Sequence, residues 1–485
     1  MNLYKMIMVI FIFVNTSSLM AEVYVANIFN NNMVLPRRIE IPIWGTADPG
    51  TKITVSFSDS VKNTESDIKG EWVVYLDRQE AKSIPNDLII KNNDTGTTTV
   101  FKNILVGEVW LGSGQSNMAA TAGKEAAKDN TPEVRIGTVP STVFDGKDDF
   151  SKRALWRTGE TKSAPGCSGT ALYFARKLQA ELKIPVGVIV SAVGGSRIEA
   201  WLNPKAMDKN LPDCKYRQQI LSTLKKYKDR PTNPSDKPAY HVVGTREWAD
   251  ARLGGRYKGM ILPLTRFPVS GFLWYQGENN IRHHQEYKKL LPALIEDWRE
   301  KWKKDLPFLI VQLPSYHGGR KPEGVDWAEM REVQFQVASE VNNCDMVVTF
   351  DNDDPNELHP KNKPTVGVRL ANMALNMVYG YKEIVAKGPL VESVTFNKSE
   401  IIINFINCQE GLFSKNGDEL KGFQIAGENK IFSKASARIS GKSIIVSSKT
   451  IVNPIAVRYA WVNVPVVDLT NKDGIPAAPF RTDSW

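Results

Sequence analysis

Four short strings in this chain carry groups capable of acyl or proton-transfer chemistry: Gly114-Gln115-Ser116-Asn117-Met118, Gly194-Gly195-Ser196, Gln276-Gly277-Glu278-Asn279 and His359-Pro360. Ser116 follows the apolar run Val109-Trp110-Leu111, and a hydroxyl just past the carboxyl end of a core strand stands where open α/β sheets collect reacting groups. A serine becomes a useful nucleophile when a base within hydrogen-bond reach takes its proton. The chain has five histidines. His283 and His284 begin a polar helix, and His241 and His317 lie in polar loops. His359 instead ends the acidic stretch Asp351-Asn352-Asp353-Asp354-Pro355-Asn356-Glu357-Leu358, directly after the apolar run Met346–Phe350. It is the candidate base, and the preceding carboxylates are candidates to orient its ring. The same stretch fits a calcium loop poorly, because Asn356 stands where such a loop needs glycine.

A tetrahedral intermediate also needs donors for its oxyanion. Gly194-Gly195 follows the strand Val186–Val190, and Gln276 follows Leu273-Trp274-Tyr275. The N–H groups of Ser116 and Gly195, with the Gln276 amide, form the candidate oxyanion hole, in which one donor is commonly worth about 3–4 kcal/mol of transition-state stabilisation. Each cluster has a plainer reading, since two glycines make a turn and a glutamine can cap a loop. Four polar clusters at four strand ends favour a shared site.

The elements that must position these groups read as α/β. Continuous apolar strands at Val186–Ser191, Gly271–Tyr275, Phe308–Gln312 and Met346–Phe350 alternate with helical stretches at 171–182, 286–302 and 329–341, a pattern that implies a parallel sheet covered on both faces. Residues 22–103 carry short alternating runs such as Ile53-Thr54-Val55-Ser56-Phe57 between turn signals and predict a β-sandwich. The α/β part is expected over 104–387, with a polar insertion at 205–250, and β runs return over 388–485.

At 485 residues the chain is long enough for about three domains. Lys5 and the apolar run Met6–Val14, followed by polar residues and Ala21, read as a secretory signal over 1–21. The run is too short for a stable membrane anchor, which needs about 20 apolar residues. The net charge is +9, or +8 without Lys5. The basic runs Lys225-Lys226-Tyr227-Lys228 and Lys301-Trp302-Lys303-Lys304 suit solvated faces better than nucleic acid, and the positive balance could help collect an anionic small substrate. Cys167, Cys214, Cys344 and Cys408 lack metal-site spacing; in an exported chain they could form up to two disulfides or stay as buried thiols.

Together these blocks resemble the sialate O-acetylesterase family of the SGNH hydrolase superfamily. Gly114-Gln115-Ser116-Asn117-Met118 is similar to its nucleophile block, Gly194-Gly195-Ser196-Arg197-Ile198-Glu199-Ala200-Trp201 to its glycine block, Trp274-Tyr275-Gln276-Gly277-Glu278-Asn279-Asn280 to its third block, and His359-Pro360 to the block carrying the base. Trp327-Ala328-Glu329-Met330-Arg331-Glu332, Val457-Arg458-Tyr459-Ala460-Trp461 and Pro479-Phe480-Arg481-Thr482-Asp483 also match. The resemblance implies an SGNH-hydrolase-like doubly wound parallel sheet flanked by N-terminal and C-terminal β domains. It implies Ser116 as nucleophile, His359 as base, and Ser116, Gly195 and Gln276 as oxyanion donors, with Gly194 next in line. No metal or other cofactor is called for, and the partner is an O-acetylated sugar or glycan. One position departs: the superfamily usually carries aspartate three residues before its histidine, and here that residue is Asn356. Glu357 is the expected replacement, with Asp354 or a bare Ser-His pair as alternatives. Acetylated xylan could serve the same chemistry, and a glycan-binding protein built around a dead site is a third reading.

Overall fold

The computed structural model describes residues 22–142, 153–212, 215–226, 253–351, 354–415, 417 and 419–485. The leader 1–21, Cys214, His241 and most of the 205–250 insertion lie outside the described residues. The molecule is α/β, built on a mixed central sheet with several smaller β-sheets toward its carboxyl terminus. The path through the central sheet runs Leu155–Gly159, Thr131–Thr138, Val186–Ala192, Thr98–Gly114, Phe272–Tyr275, Phe308–Val311 and Cys344–Val347. Every neighbouring pair on this path is parallel except the first.

The Thr98–Gly114 strand explains how the β-rich front joins this sheet. Its first residues alternate between exposed and buried, whereas Ile104 onward is buried without interruption. The change follows the pairing. Lys91 to Lys82 runs antiparallel beside Thr98 to Val106, where one face stays wet; beyond Glu108 the strand lies between two parallel neighbours and both faces are covered. The boundary expected at 103/104 therefore falls inside one continuous strand. The front also contributes a three-stranded sheet of Tyr24–Val25, Ile41–Thr46 and Glu71–Leu76.

Helices Gly169–Leu182 and Lys363–Met377 pack on one another, as do His284–Trp302 and Asp326–Glu340. The Lys363–Met377 helix has Pro364 in its first turn and its N-cap Asn362 accepts from Thr365 N–H. Val366, Leu370, Met373 and Ala374 form its buried stripe, the spacing expected of a helix lying on a sheet. Gly367 lets it cross closely, since a Cβ there would sit 2.6 Å from the Phe174 nitrogen.

The three matching blocks outside the strand ends serve docking. Arg481 Nε donates to the Glu332 carboxylate at 2.9 Å, and Arg458 pairs with Asp483 at 2.6 Å. The fully buried Arg331 donates to the carbonyls of Pro314, Val462 and Asn463, and burial pulls its guanidinium down to about 9. These bonds tie the carboxyl-terminal sheets to the Asp326–Glu340 helix. One contiguous apolar cluster reaches from Val25 through Trp110 and Leu370 to Ala477, so the three regions share a core. Among the described cysteines, Cys167, Cys344 and Cys408 are buried free thiols; burial pushes Cys167 up to about 11 and Cys344 up to about 12.

Candidate active site

The path strands from 131 to 192 lie on one side of Thr98–Gly114, and those from 272 to 347 lie on the other. Chain direction through the sheet reverses beside this strand, and the carboxyl ends at such a reversal leave a crevice. Ser116 opens the short helix Ser116–Ala119 immediately after it. Gly114 permits the turn: its φ is +132° and a Cβ there would stand 2.1 Å from the Tyr275 carbonyl oxygen, so only glycine lets the two strand ends close up.

His359 meets Ser116 in this crevice, although 243 residues separate them; Oγ lies 2.8 Å from Nε2. That distance suits direct proton transfer from hydroxyl to imidazole. The glycine turn lies beside them and is exposed. A Cβ on Gly194 would be 3.6 Å from Ser116 Cβ, whereas one on Gly195 would have no neighbour within 4 Å. A side chain on Gly194 would thus meet the nucleophile, whereas one on Gly195, the expected donor, would point into open space. The Gly195 carbonyl accepts from Asn279 Nδ2 at 2.5 Å, which fixes the turn.

Gln276 differs from the expectation. Its side chain is fully buried, and its two Nε2 protons face three acceptors: Asn280 Oδ1 at 2.9 Å, Gln115 Oε1 at 3.2 Å and the Ser196 carbonyl at 3.3 Å. The amide therefore braces the floor of the crevice, with no donor directed at Ser116. Asn280 extends the brace by donating to buried Glu199 at 3.0 Å.

Glu357 does not join His359. It is exposed, only its backbone N–H is bonded, to the Asp354 carbonyl at 2.9 Å, and no hydrogen bond links its carboxylate to the ring among the described residues. Asp354 is also committed elsewhere: the Asn356 N–H and Nδ2 donate to it at 2.9 and 2.7 Å and hold its carboxyl below the usual range. Asn356 Oδ1 lies 2.6 Å from His317 Nε2, so this amide faces the other histidine. Asp351, first in the possible calcium loop, is gripped by Arg369 through two bonds of 2.7 and 2.8 Å.

A buried polar cluster behind Ser116 was not expected from the residue pattern. Asn117 Nδ2 donates to Glu278 Oε1 at 2.6 Å and to the Leu358 carbonyl at 3.1 Å, and its Oδ1 accepts from Lys363 Nζ at 2.6 Å. Burial pushes the Glu278 carboxyl up, opposed by the Asn117 bond and the Lys363 charge. The only sequence signals were that Asn117 directly follows Ser116 and that Glu278 lies two residues after Gln276.

Known proteins resemble this chain along most of its length. The sequence profile of the family described as carbohydrate esterase, sialic acid-specific acetylesterase, matches residues 106–229 and 244–376, more than half of the chain. The chain belongs to this family of carbohydrate esterases. It is 26% identical over 483 residues to a sialate O-acetylesterase of Homo sapiens, covering 91% of this chain and 88% of the relative. It is 27% identical over 489 residues to one of Mus musculus, covering 91% and 90%. A carbohydrate acetylesterase from Xanthomonas citri superposes with a TM-score of 0.83 at 29% identity, covering 96% of this chain and all of that one.

Proposed function

We propose that this esterase removes acetyl groups from O-acetylated sialic acids through an acetyl-Ser116 intermediate, on an SGNH-hydrolase-like core. The observation that carries the chemistry is the 2.8 Å approach of Ser116 Oγ to His359 Nε2. In this reading Oγ attacks the acetyl carbonyl as its proton passes to Nε2. The N–H groups of Ser116 and of the Gly194-Gly195 turn stabilise the oxyanion. The intermediate collapses as His359 returns the proton to the sugar oxygen, and water, deprotonated by the same ring, then releases acetate.

The choice of an anionic sugar is supported by Arg197. Its guanidinium lies 4.0 Å over the Tyr216 ring and its Nε donates to the Asn279 carbonyl at 3.1 Å, while no carboxylate pairs with it among the described residues. It stands two residues beyond the glycine turn, where a substrate carboxylate could meet it. Acetate release from 9-O-acetylated sialic acid and from acetylated xylan tests the assignment: faster release from the sialic acid supports it, and preference for xylan overturns it. The Xanthomonas citri relative, described only as a carbohydrate acetylesterase, keeps the neutral polysaccharide as the second reading. We also propose that the chain is exported, on the strength of Lys5 and the apolar run Met6–Val14. A mature amino terminus near Glu22 would support this, and retention of residues 1–21 would refute it.

A further inference from the structure

We propose that Asn117 is a positioning residue for the base, a buried amide that clasps the His359 loop from both sides. The proposal rests on the reading that His359 serves Ser116. Asn117 is fully buried and directly follows the nucleophile. One Nδ2 proton goes to the carbonyl of Leu358, the residue before His359. Its Oδ1 takes a proton from Lys363, four residues after His359 and the first residue of the next helix. The second Nδ2 proton goes to Glu278 at 2.6 Å, a short bond that fixes which way the amide faces.

The geometry matters because His359 itself is held weakly. It is exposed, and its single hydrogen bond among the described residues is the one to Ser116. A ring so placed depends on its backbone for position, and that backbone is pinned to the residue next to the nucleophile. The farther end of the loop is secured separately, by Arg369 on Asp351. Asn117 therefore sets the Oγ to Nε2 distance from below without touching substrate, and displacement of a catalytic group by about 1 Å can cost about 100-fold.

The test measures kcat and KM on an aryl acetate, with rates divided by the fraction of Ser116 labelled to completion by an organophosphonate. Misfolded molecules then drop out of the comparison. Asn117→Ala is expected to lower kcat per labelled site about 10- to 100-fold with KM changed less than about twofold. Lys363→Met removes one flank and is expected to lower it about 3- to 10-fold, while Lys363→Arg, which still donates to Oδ1, restores most of the loss. A residue that only supports the fold would reduce the labelled fraction and leave kcat per site intact. The proposal is overturned by Asn117→Ala within twofold of the parent per labelled site, or by equal losses in Lys363→Met and Lys363→Arg. His359→Ala separates the two levels of inference: if it keeps activity, the proposed function fails; if it is inactive while Asn117→Ala is normal, only the clasp fails.

Discussion

The two ends of the Thr98–Gly114 strand hold polar clusters of opposite character. Near the amino side of its buried half, Glu108 has both oxygens engaged. Arg37 Nε donates to one at 2.5 Å, and Ser270 Oγ and Tyr379 Oη donate to the other at 2.5 and 2.8 Å. Tyr379 in turn accepts from Trp110 Nε1 at 3.0 Å. Past the carboxyl end, buried acceptors are left over: Gln276 Oε1 and Glu278 Oε2 have no partner among the described residues. Satisfied networks rigidify a core, whereas buried polar atoms left unpaired cost stability and tend to persist at sites kept for function. The first cluster is a joint between the sheet, the front strands and the chain after the last helix. The second surrounds the proposed nucleophile and base.

The sharpest way to break this contrast is to remove one group from each end. Ser116→Ala is expected to lower acetate release from aryl acetates at least about 10⁴-fold with an unchanged melting temperature, because a half-buried hydroxyl with one bond contributes little to the fold. Residual activity near the parent level would move the nucleophile elsewhere. At the other end, Glu108→Ala leaves Arg37 without its partner in a mostly buried setting, and loss of one member of such a pair costs about 3–5 kcal/mol. Urea unfolding should register that loss while kcat per folded molecule stays at the parent value. Tyr379→Phe removes only the hydroxyl that bridges Trp110 and Glu108, and about 1–3 kcal/mol is expected by the same measurement. A catalytic defect in either amino-end variant would dissolve the distinction.

How far the sequence displays this organisation follows the same division. Ser116, the glycine turn and His359 were legible because each follows an apolar strand, and acyl chemistry demands those types at such ends. The partner of His359 was not, since the direction of Asn356 is decided by His317, a residue from a different loop. Gln276 misled for a related reason: an amide donates equally well in either direction, and only the packing of Asn280 and Gln115 turns it inward. The helix Lys363–Met377 went unread although Arg369, Asn372 and Asn376 lie off its buried stripe; the charged Lys363 is buried at its start. Lys363 and Arg369 are the residues that bond to Asn117 and Asp351. The expected front boundary coincides with a change in burial pattern inside one strand, which marks a change of strand partners.

The smallest effect probes the carboxyl end through pH. Burial raises the Glu278 carboxyl above its ordinary value, so the folded protein holds that proton more tightly than the unfolded chain. Stability linked to this group is fully present below the usual carboxylate range and is lost as pH rises through the raised folded value. Glu278→Gln keeps an oxygen to accept from Asn117 but cannot ionise, so it escapes this loss. The difference in unfolding free energy between parent and variant should therefore shift in favour of the variant as pH climbs out of the carboxylate range, then level off. A difference independent of pH would mean that Lys363 and Asn117 compensate the buried charge completely. The carboxyl end would then be as well satisfied as the amino end, and the contrast between them would rest on Ser116 and His359 alone.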